Sequence, residues 1–411
     1  MTSEKIETMS QQDTQVAPGA LEGLRVLDLS RILAGLTATQ LMADLGAEVI
    51  KVEKPGSGDD TRSWGPPFLP DADGNDSDLS AYFLCANRNK KSIAIDITSE
   101  EGVALLRRLV AISDVVVENY KPGDLARRGI GYEDLRLIKP DIIWCSISGF
   151  GQTGPYSDRI GYDFLIQAMG GIMSITGEPE AAGGKPVKVG VGIADVMCGM
   201  YAAVGVLAAL RHRDRTGEGQ HIDLALYDSQ VAWLINAATN HLVSGRVPKA
   251  LGNAHPNIAP YQTFAASDEY LAVAVGNDQQ FVRFAEAIGL AELAFDDRFR
   301  RNRDRLANLE DLQALIQTEI SRDTALSWEQ RLLGAGVPAG RVATIDTVLT
   351  DPHTLARGMV VELPGDEAED PVRLLGNPLK MSVTPVHYHT RPPHLDADRE
   401  AVLRLLEPDA D

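Results

Sequence analysis

LRVLDLSRILAGLTATQLMADLGAEVIKVEKP, residues 24–55, decides the fold class. LRVLDLS is an apolar run of strand length, ILAGLTATQLMADLGA places apolar residues at helical spacing and stops at Gly46, and EVIKVEKP returns to a strand. That is one βαβ unit, and the helix between its strands makes them parallel. Beyond a polar loop the pattern repeats. KSIAIDIT reads as a strand, SEEGVALLRRLVAIS as a helix with Ser99 as its N-cap, and DVVVENY as a strand; YEDLRLIKP and DIIWCSISG follow in the same sense. The expected fold class is α/β, a Rossmann-like parallel sheet covered on both faces. This large domain spans residues 21–210 and is completed by residues 350–411. A smaller α+β domain is expected over residues 223–335, where YLAVAVGNDQQFVRFAEAIGL reads as strand, turn and helix. Residues 211–222 and 336–349 are read as the linkers, and the polar residues 1–20 as a flexible arm without the apolar stretch of a secretory signal.

The chain has 411 residues, 39 Lys plus Arg and 58 Asp plus Glu, for a net charge of −19. A surface of that sign repels phosphate backbones and anionic lipid, so neither nucleic acid nor a membrane is an expected partner. Cys85, Cys145 and Cys198 form no Cys-x-x-Cys pair, which points away from disulfides and zinc and towards a reducing cytoplasm. The longest apolar run, Val196 to Leu210, is shorter than the roughly 20 residues of a membrane span and reads as a buried helix.

Several common chemistries find no support. The first strand-to-helix turn, SRILAGLTATQ, has one glycine where a dinucleotide fingerprint needs three. No G-x-x-x-x-G-K-[ST] loop, G-x-S-x-G elbow or H-E-x-x-H helix is present, and His387 and His389 are too few for a metal site. In a parallel sheet, ligands gather beyond the carboxyl ends of the strands, which directs attention to Arg31, Lys54, Asn119, Tyr120 and Ser148. Two acids, Asp163 and Asp195, stand among apolar and glycine residues, and Asp195 lies at the start of a long apolar helix. An N-cap would explain an acid there. Gly190, Gly192 and Gly199 around it also let backbone approach a ligand closely, and a helix N-terminus keeps a carboxylate ionised, so catalysis is an equally physical reading.

LEGLRVLDLSRILAG, LGAEVIKVEKPGSGDDTR, NRNKKSIAIDI, DVVVENYKPGDLARRGI, GYD, TGEGQHIDLALYDS and GNPLKMS resemble, in order and spacing, the family III CoA transferases. That family includes formyl-CoA transferase, carnitine CoA transferase and, as a divergent branch, α-methylacyl-CoA racemase. The resemblance implies that Asp195 is a nucleophile that attacks an acyl-CoA thioester to give a mixed anhydride, with CoA entering as substrate and no metal required. It also implies that Lys54 and Arg127 meet the CoA phosphates, that Asn119 and Tyr120 match the family's residues at the end of the DVVVENY strand, and that Arg31 and Ala34 line the CoA cleft. Leu36 stands where the family commonly has proline, and Thr98 and Ile160 where formyl-CoA transferase has lysines, so the phosphate contacts should differ in detail.

The racemase branch has a histidine base in the place of Tyr162, and a neutral phenol with a pKa of about 10 is a poor base at pH 7. CoA transfer is therefore expected ahead of the isomerase alternative. GDDTRSWGPPF, LGNAHPNIAPYQTF and GNDQQF resemble the branch that uses dicarboxylates such as succinate and glutarate. A second carboxylate would need a cation, for which Arg31, Arg62, Arg88 and His255 are the candidates. The resemblance finally implies an interlocked homodimer of ring-shaped chains.

Overall fold

The structure, a computed structural model, describes residues 17–407 other than 72 and 366–370. Most of the expected arm, residues 1–16, lies outside the described residues. The chain divides into two compact units: the larger runs to Gly161, resumes over Ala194–Ser229 and again from Gly358, and the smaller comprises Tyr162–Ile193 and Gln230–Arg357.

In the larger unit β1 (Arg25–Asp28), β2 (Glu48–Glu53), β3 (Lys90–Ala94), β4 (Val115–Glu118), β5 (Ile143–Ser148) and β6 (Gln220–Ala225) form one parallel sheet. Their order, β3-β2-β1-β4-β5-β6, is that of doubly wound nucleotide-binding sheets, and it reverses between β1 and β4. Leu27 sits opposite Ile50 and Val116, and with Ile93, Leu106, Leu109 and Trp144 they form a fully buried apolar layer. Burying each such side chain is worth about 1.5–3 kcal/mol, so truncating Leu109 to Ala costs roughly 2–5 kcal/mol.

Three helices matter for the site: α1 (Ala34–Asp44), α2 (Glu100–Ala111) and α3 (Ile193–Thr216). The Ser99 hydroxyl accepts the Gly102 N–H at 3.0 Å, the cap expected from sequence, and Glu100, Glu101 and Arg108 complement the dipole of α2. Among the described residues α3 alone is long and apolar enough to cross a membrane. Its inner face, Ala202, Val206 and Ala209, is buried, whereas Met200, Tyr201 and Val204 are exposed, so the expected buried helix is buried on one side only.

In the smaller unit β7 (Tyr261–Ala265), β8 (Tyr270–Ala274) and β9 (Ala339–Arg341) form an antiparallel sheet in the order β9-β8-β7. The helix α4 (Asp278–Ala287) buries Phe281 and Phe284 with Phe264 and Trp328.

The segments read as linkers are structured. Residues 211–216 continue α3, because Arg213 pairs with Asp114 at 3.0 Å, and only Gly217, at φ 77°, ends the helix before β6 begins. Within residues 336–349, β9 completes the small sheet. Residues 162–193, assigned from sequence to the large domain, cluster with the smaller unit.

Candidate active site

The ends of β1 and β4 flank the point where the strand order reverses, and their loops are fastened together. Asn119, the first residue after β4, accepts the Arg31 N–H on its Oδ1 at 2.9 Å and donates from Nδ2 to the Arg31 carbonyl at 2.7 Å. A side-chain amide thus replaces a strand partner for the residue that leads into α1. Ile32 follows at φ 75°, a conformation that is unfavourable for a β-branched residue and persists only where its surroundings enforce it.

That enforcement comes from charge. Lys51 is fully buried and donates to Asp59 at 2.8 Å and to the Ser30 carbonyl at 3.1 Å, while Asp59 accepts the Ile32 N–H at 3.4 Å. Burial alone would push the Lys51 ammonium down, but Asp59, Asp28 and Glu53 hold it above the usual lysine range. Lys90, also fully buried, bonds Asp28 at 3.1 Å and the Leu36 carbonyl at 3.3 Å, and burial brings it down to about 8 against the pull of Asp28. Asp28 in turn accepts from Ser30 and Thr39, so the loop 29–33 rests on a buried polar floor.

Asp195 is the third residue of α3, and it is 9% exposed. It stands inside the first turn and not at the N-cap. One turn later, on the same face, Gly199 is pressed against the start of α1: a Cβ there would lie 2.5 Å from the Ala34 carbonyl oxygen and 2.7 Å from Thr37 Cβ. The helices therefore touch through backbone at Gly199, and Asp195 faces the amino end of α1. Leu33 provides that end with no side-chain cap, which leaves N–H groups available to a ligand. Ala34 is the first residue of α1, and Leu36 is fully buried within it.

The second acid is accounted for differently. Asp163 accepts from Gln167 Nε2 at 2.7 Å, and Gln167 Oε1 accepts the Val189 N–H at 2.8 Å, so Asp163 orders its own loop in the smaller unit. Tyr162, beside it, is 54% exposed and offers its helix no side-chain cap.

Of the remaining expected residues of the larger unit, Lys54 and Arg127 are exposed, Tyr120 is half-buried and Ser148 is buried. Lys54 follows β2, is exposed, and forms no ion pair among the described residues; its charge and that of Arg128 act on Asp96. Arg127 is exposed and paired with Asp124. Tyr120 lies under the Arg31 guanidinium, 5.7 Å from ring centre to Cζ. Ser148 Oγ accepts the Gly151 N–H at 2.9 Å and shapes the turn after β5.

Three buried charges escaped the sequence reading, Glu118, Lys51 and Lys90. Glu118, the last residue of β4, is 5% exposed, and its carboxylate accepts the Tyr120 N–H at 2.8 Å. Burial pushes its pKa up to about 7, against hydrogen bonds from Ser146, Tyr120 and Trp144. Ser146 Oγ also meets Trp144 Nε1 at 3.1 Å and His221 Nε2 at 2.9 Å, and the His221 ring stacks on Tyr132. An acid inside DVVVENY was the only available signal, and the buried lysines Lys51 and Lys90 gave a similar one: a charge in an otherwise apolar strand.

Taken together, the larger unit offers a carboxylate at a helix start, an uncapped helix end facing it, and cations around the carboxyl ends of the strands. Among the described residues no group of three or more His, Cys, Asp or Glu is arranged to hold a metal. Residues 21–399 match the family model for CoA-transferase family III. The chain is 48% identical over 394 residues, 94% of its length and 96% of the relative's, to the succinate–glutarate CoA-transferase of Agrobacterium fabrum. It is 45% identical over 84% of its length, and 76% of the relative's, to the succinyl-CoA:glutarate CoA-transferase of Mus musculus. A CaiB/BaiF family protein of Brucella suis superposes with a TM-score of 0.84 at 47% identity, covering 95% of this chain and all of that one. An acid-bearing helix start beside the reversal of a doubly wound sheet, and a family match that runs nearly end to end, agree: the chain belongs to CoA-transferase family III.

Proposed function

We propose that the protein moves CoA from a dicarboxylyl-CoA such as succinyl-CoA to a second carboxylic acid, with Asp195 as the nucleophile. The position of Asp195, in the first turn of α3 and facing the uncapped start of α1, is the observation that carries this reading. The Asp195 carboxylate attacks the thioester carbonyl, the C–S bond breaks, and CoA leaves as thiolate, giving a mixed anhydride. For the donor acid to depart as its carboxylate, the thiolate must next attack the aspartyl carbonyl, which leaves CoA on Asp195. The acceptor carboxylate then repeats the two steps in reverse. Developing oxyanions need fixed N–H donors, and the free end of α1 is suited to supply them. Lys54 and Arg127 serve the CoA phosphates, Asn119 and Tyr120 shape the cleft wall, and in the sequence motif Tyr162 takes the place of the isomerase branch's histidine base.

The dicarboxylate class is supported by the names of the relatives, which act on succinate, glutarate or their CoA thioesters. A cytoplasmic location fits free Cys85, Cys145 and Cys198. The interlocked homodimer is proposed in the same sense, because α3 exposes Met200, Tyr201 and Val204, an apolar face that a second copy would cover.

The test is Asp195→Ala, which should abolish transfer without loss of CoA affinity. Hydroxylamine added to the acylated wild-type enzyme should leave a hydroxamate that peptide mapping places on Asp195. Transfer retained in Asp195→Ala, or a hydroxamate elsewhere, refutes the assignment.

A further inference from the structure

If the acyl group is a dicarboxylate, its distal carboxylate needs a cation, and the structure separates the four candidates. Arg62 is 4% exposed, grips Glu53 with Nε and Nη2 at 2.8 and 2.7 Å, holds Asp78 with Nη1 at 2.9 Å, and lies over the Phe83 ring. Arg88 is equally buried, with Nε and Nη2 on Asp44 and Nη1 on the Leu375 carbonyl. Both are saturated internal ties. His255, in the smaller unit, accepts the Asn257 N–H on Nδ1, so its ring presents a single N–H and no fork.

Arg31 is different on every count. Its side chain is 45% exposed and makes one ion pair, Nη1 to Asp60 at 3.0 Å; Nε and Nη2 meet no acceptor among the described residues. An exposed pair of this kind contributes at most about 1 kcal/mol, so Asp60 is easily exchanged for a better-placed carboxylate. The backbone of Arg31, by contrast, is fixed on both sides by the Asn119 amide and followed by the strained Ile32, which the Lys51–Asp59 pair pins. An exposed guanidinium with a single weak ion pair, carried on an over-determined backbone, is what a recognition residue requires, because the backbone needs no further ordering on binding. Arg31 also precedes Ala34 by less than one helical turn, at the end of α1 that Asp195 faces.

We propose that Arg31 is the specificity-determining residue for the acyl group: its Nε and Nη2 fork pairs with the distal carboxylate while the thioester carbonyl meets Asp195. The assignment rests on the dicarboxylate reading and adds the residue that enforces it. In a two-half reaction kcat/KM for the donor depends on the first half alone, so donors can be compared with one fixed acceptor. Succinyl-CoA and butyryl-CoA share every CoA contact and differ at the distal carboxylate.

The experiment measures kcat/KM for both thioesters in wild type, Arg31→Met and Arg31→Lys. The succinyl-to-butyryl ratio should fall roughly 30-fold or more in Arg31→Met, and Arg31→Lys should recover part of it. A ratio unchanged in Arg31→Met overturns the assignment; if it is unchanged because both thioesters lose in parallel, Arg31 serves the CoA moiety instead. A wild-type enzyme with no preference for succinyl-CoA overturns the dicarboxylate reading itself, and the role of Arg31 with it. Because Asn119 holds only main-chain atoms of Arg31, the urea midpoints of the three proteins should coincide.

Discussion

Replacing Glu118 by Gln should make the protein more stable, and increasingly so as the pH rises. Glu118 ends β4 with 5% exposure, and burial raises its pKa from 4.5 to about 7. Between those values the unfolded chain releases the proton and the folded chain keeps it, so stability falls as pH rises through the window and stays low above it. The shift corresponds to about 3 kcal/mol at pH 8, and relaxation of the surroundings would reduce this to roughly 1–3 kcal/mol. Gln fits the site: its Oε1 accepts the Tyr120 N–H, and its Nε2 donates to Ser146 Oγ, whose proton turns to His221 Nε2. His221 titrates as well, since burial lowers its pKa, but that contribution is common to both proteins and cancels in their difference. Urea unfolding followed by tryptophan fluorescence, to which Trp144 in the same network contributes, should give nearly equal midpoints at pH 4.5 and a higher midpoint for the variant at pH 8. A difference that does not depend on pH, or a variant less stable than wild type at pH 8, refutes the reasoning.

Asn119→Ala removes both bonds to the Arg31 backbone and should raise the KM for the acyl-CoA roughly tenfold, with Asn119→Asp, which keeps only the acceptor, in between; steady-state kinetics decides. Gly199→Ala puts a Cβ against the Ala34 carbonyl and must separate α3 from α1, so the urea midpoint should drop by the equivalent of about 1–3 kcal/mol and kcat should fall with it. Lys54→Ala or Arg127→Ala should raise the KM for the CoA thioester about tenfold while kcat changes little; two unaffected KM values would move the phosphate site elsewhere.

The sheet was legible because each of its first five strands is a short apolar run separated by helical spacing or turn residues, and that periodicity depends only on local burial. Asp195 was legible as a helix-start acid, but its relation to α1 was not, since Gly199 meets Ala34 across far-separated stretches of chain. The same holds for Asn119: DVVVENY announces a strand end, whereas the amide's grip on Arg31 depends on β4 lying beside β1. The linkers were misread because RHRDRTGEGQ looks like a charged break, yet arginine is a good helix former and Asp114 supplies Arg213 with a partner. Glu118, Lys51 and Lys90 were passed over because a single charge in a strand pattern does not reveal whether it is buried.

The buried charges of β1, β2 and β3 also act as a key for strand register. Leu27, Ile50, Val52 and Ile93 point to the apolar layer, and the alternate positions Asp28, Lys51, Glu53, Lys90 and Ser92 point to the other face. Both faces are covered, so hydrophobicity alone would tolerate a slipped strand poorly but not forbid it. With Lys90 matched to Asp28, and Ser92 bonded to Glu53, a slip of one residue would bury unpaired charges among Leu and Ile and strand their partners opposite. The same device makes these strands intolerant of length change: inserting or deleting one residue within β2 should prevent folding, even though the apolar count is unaltered.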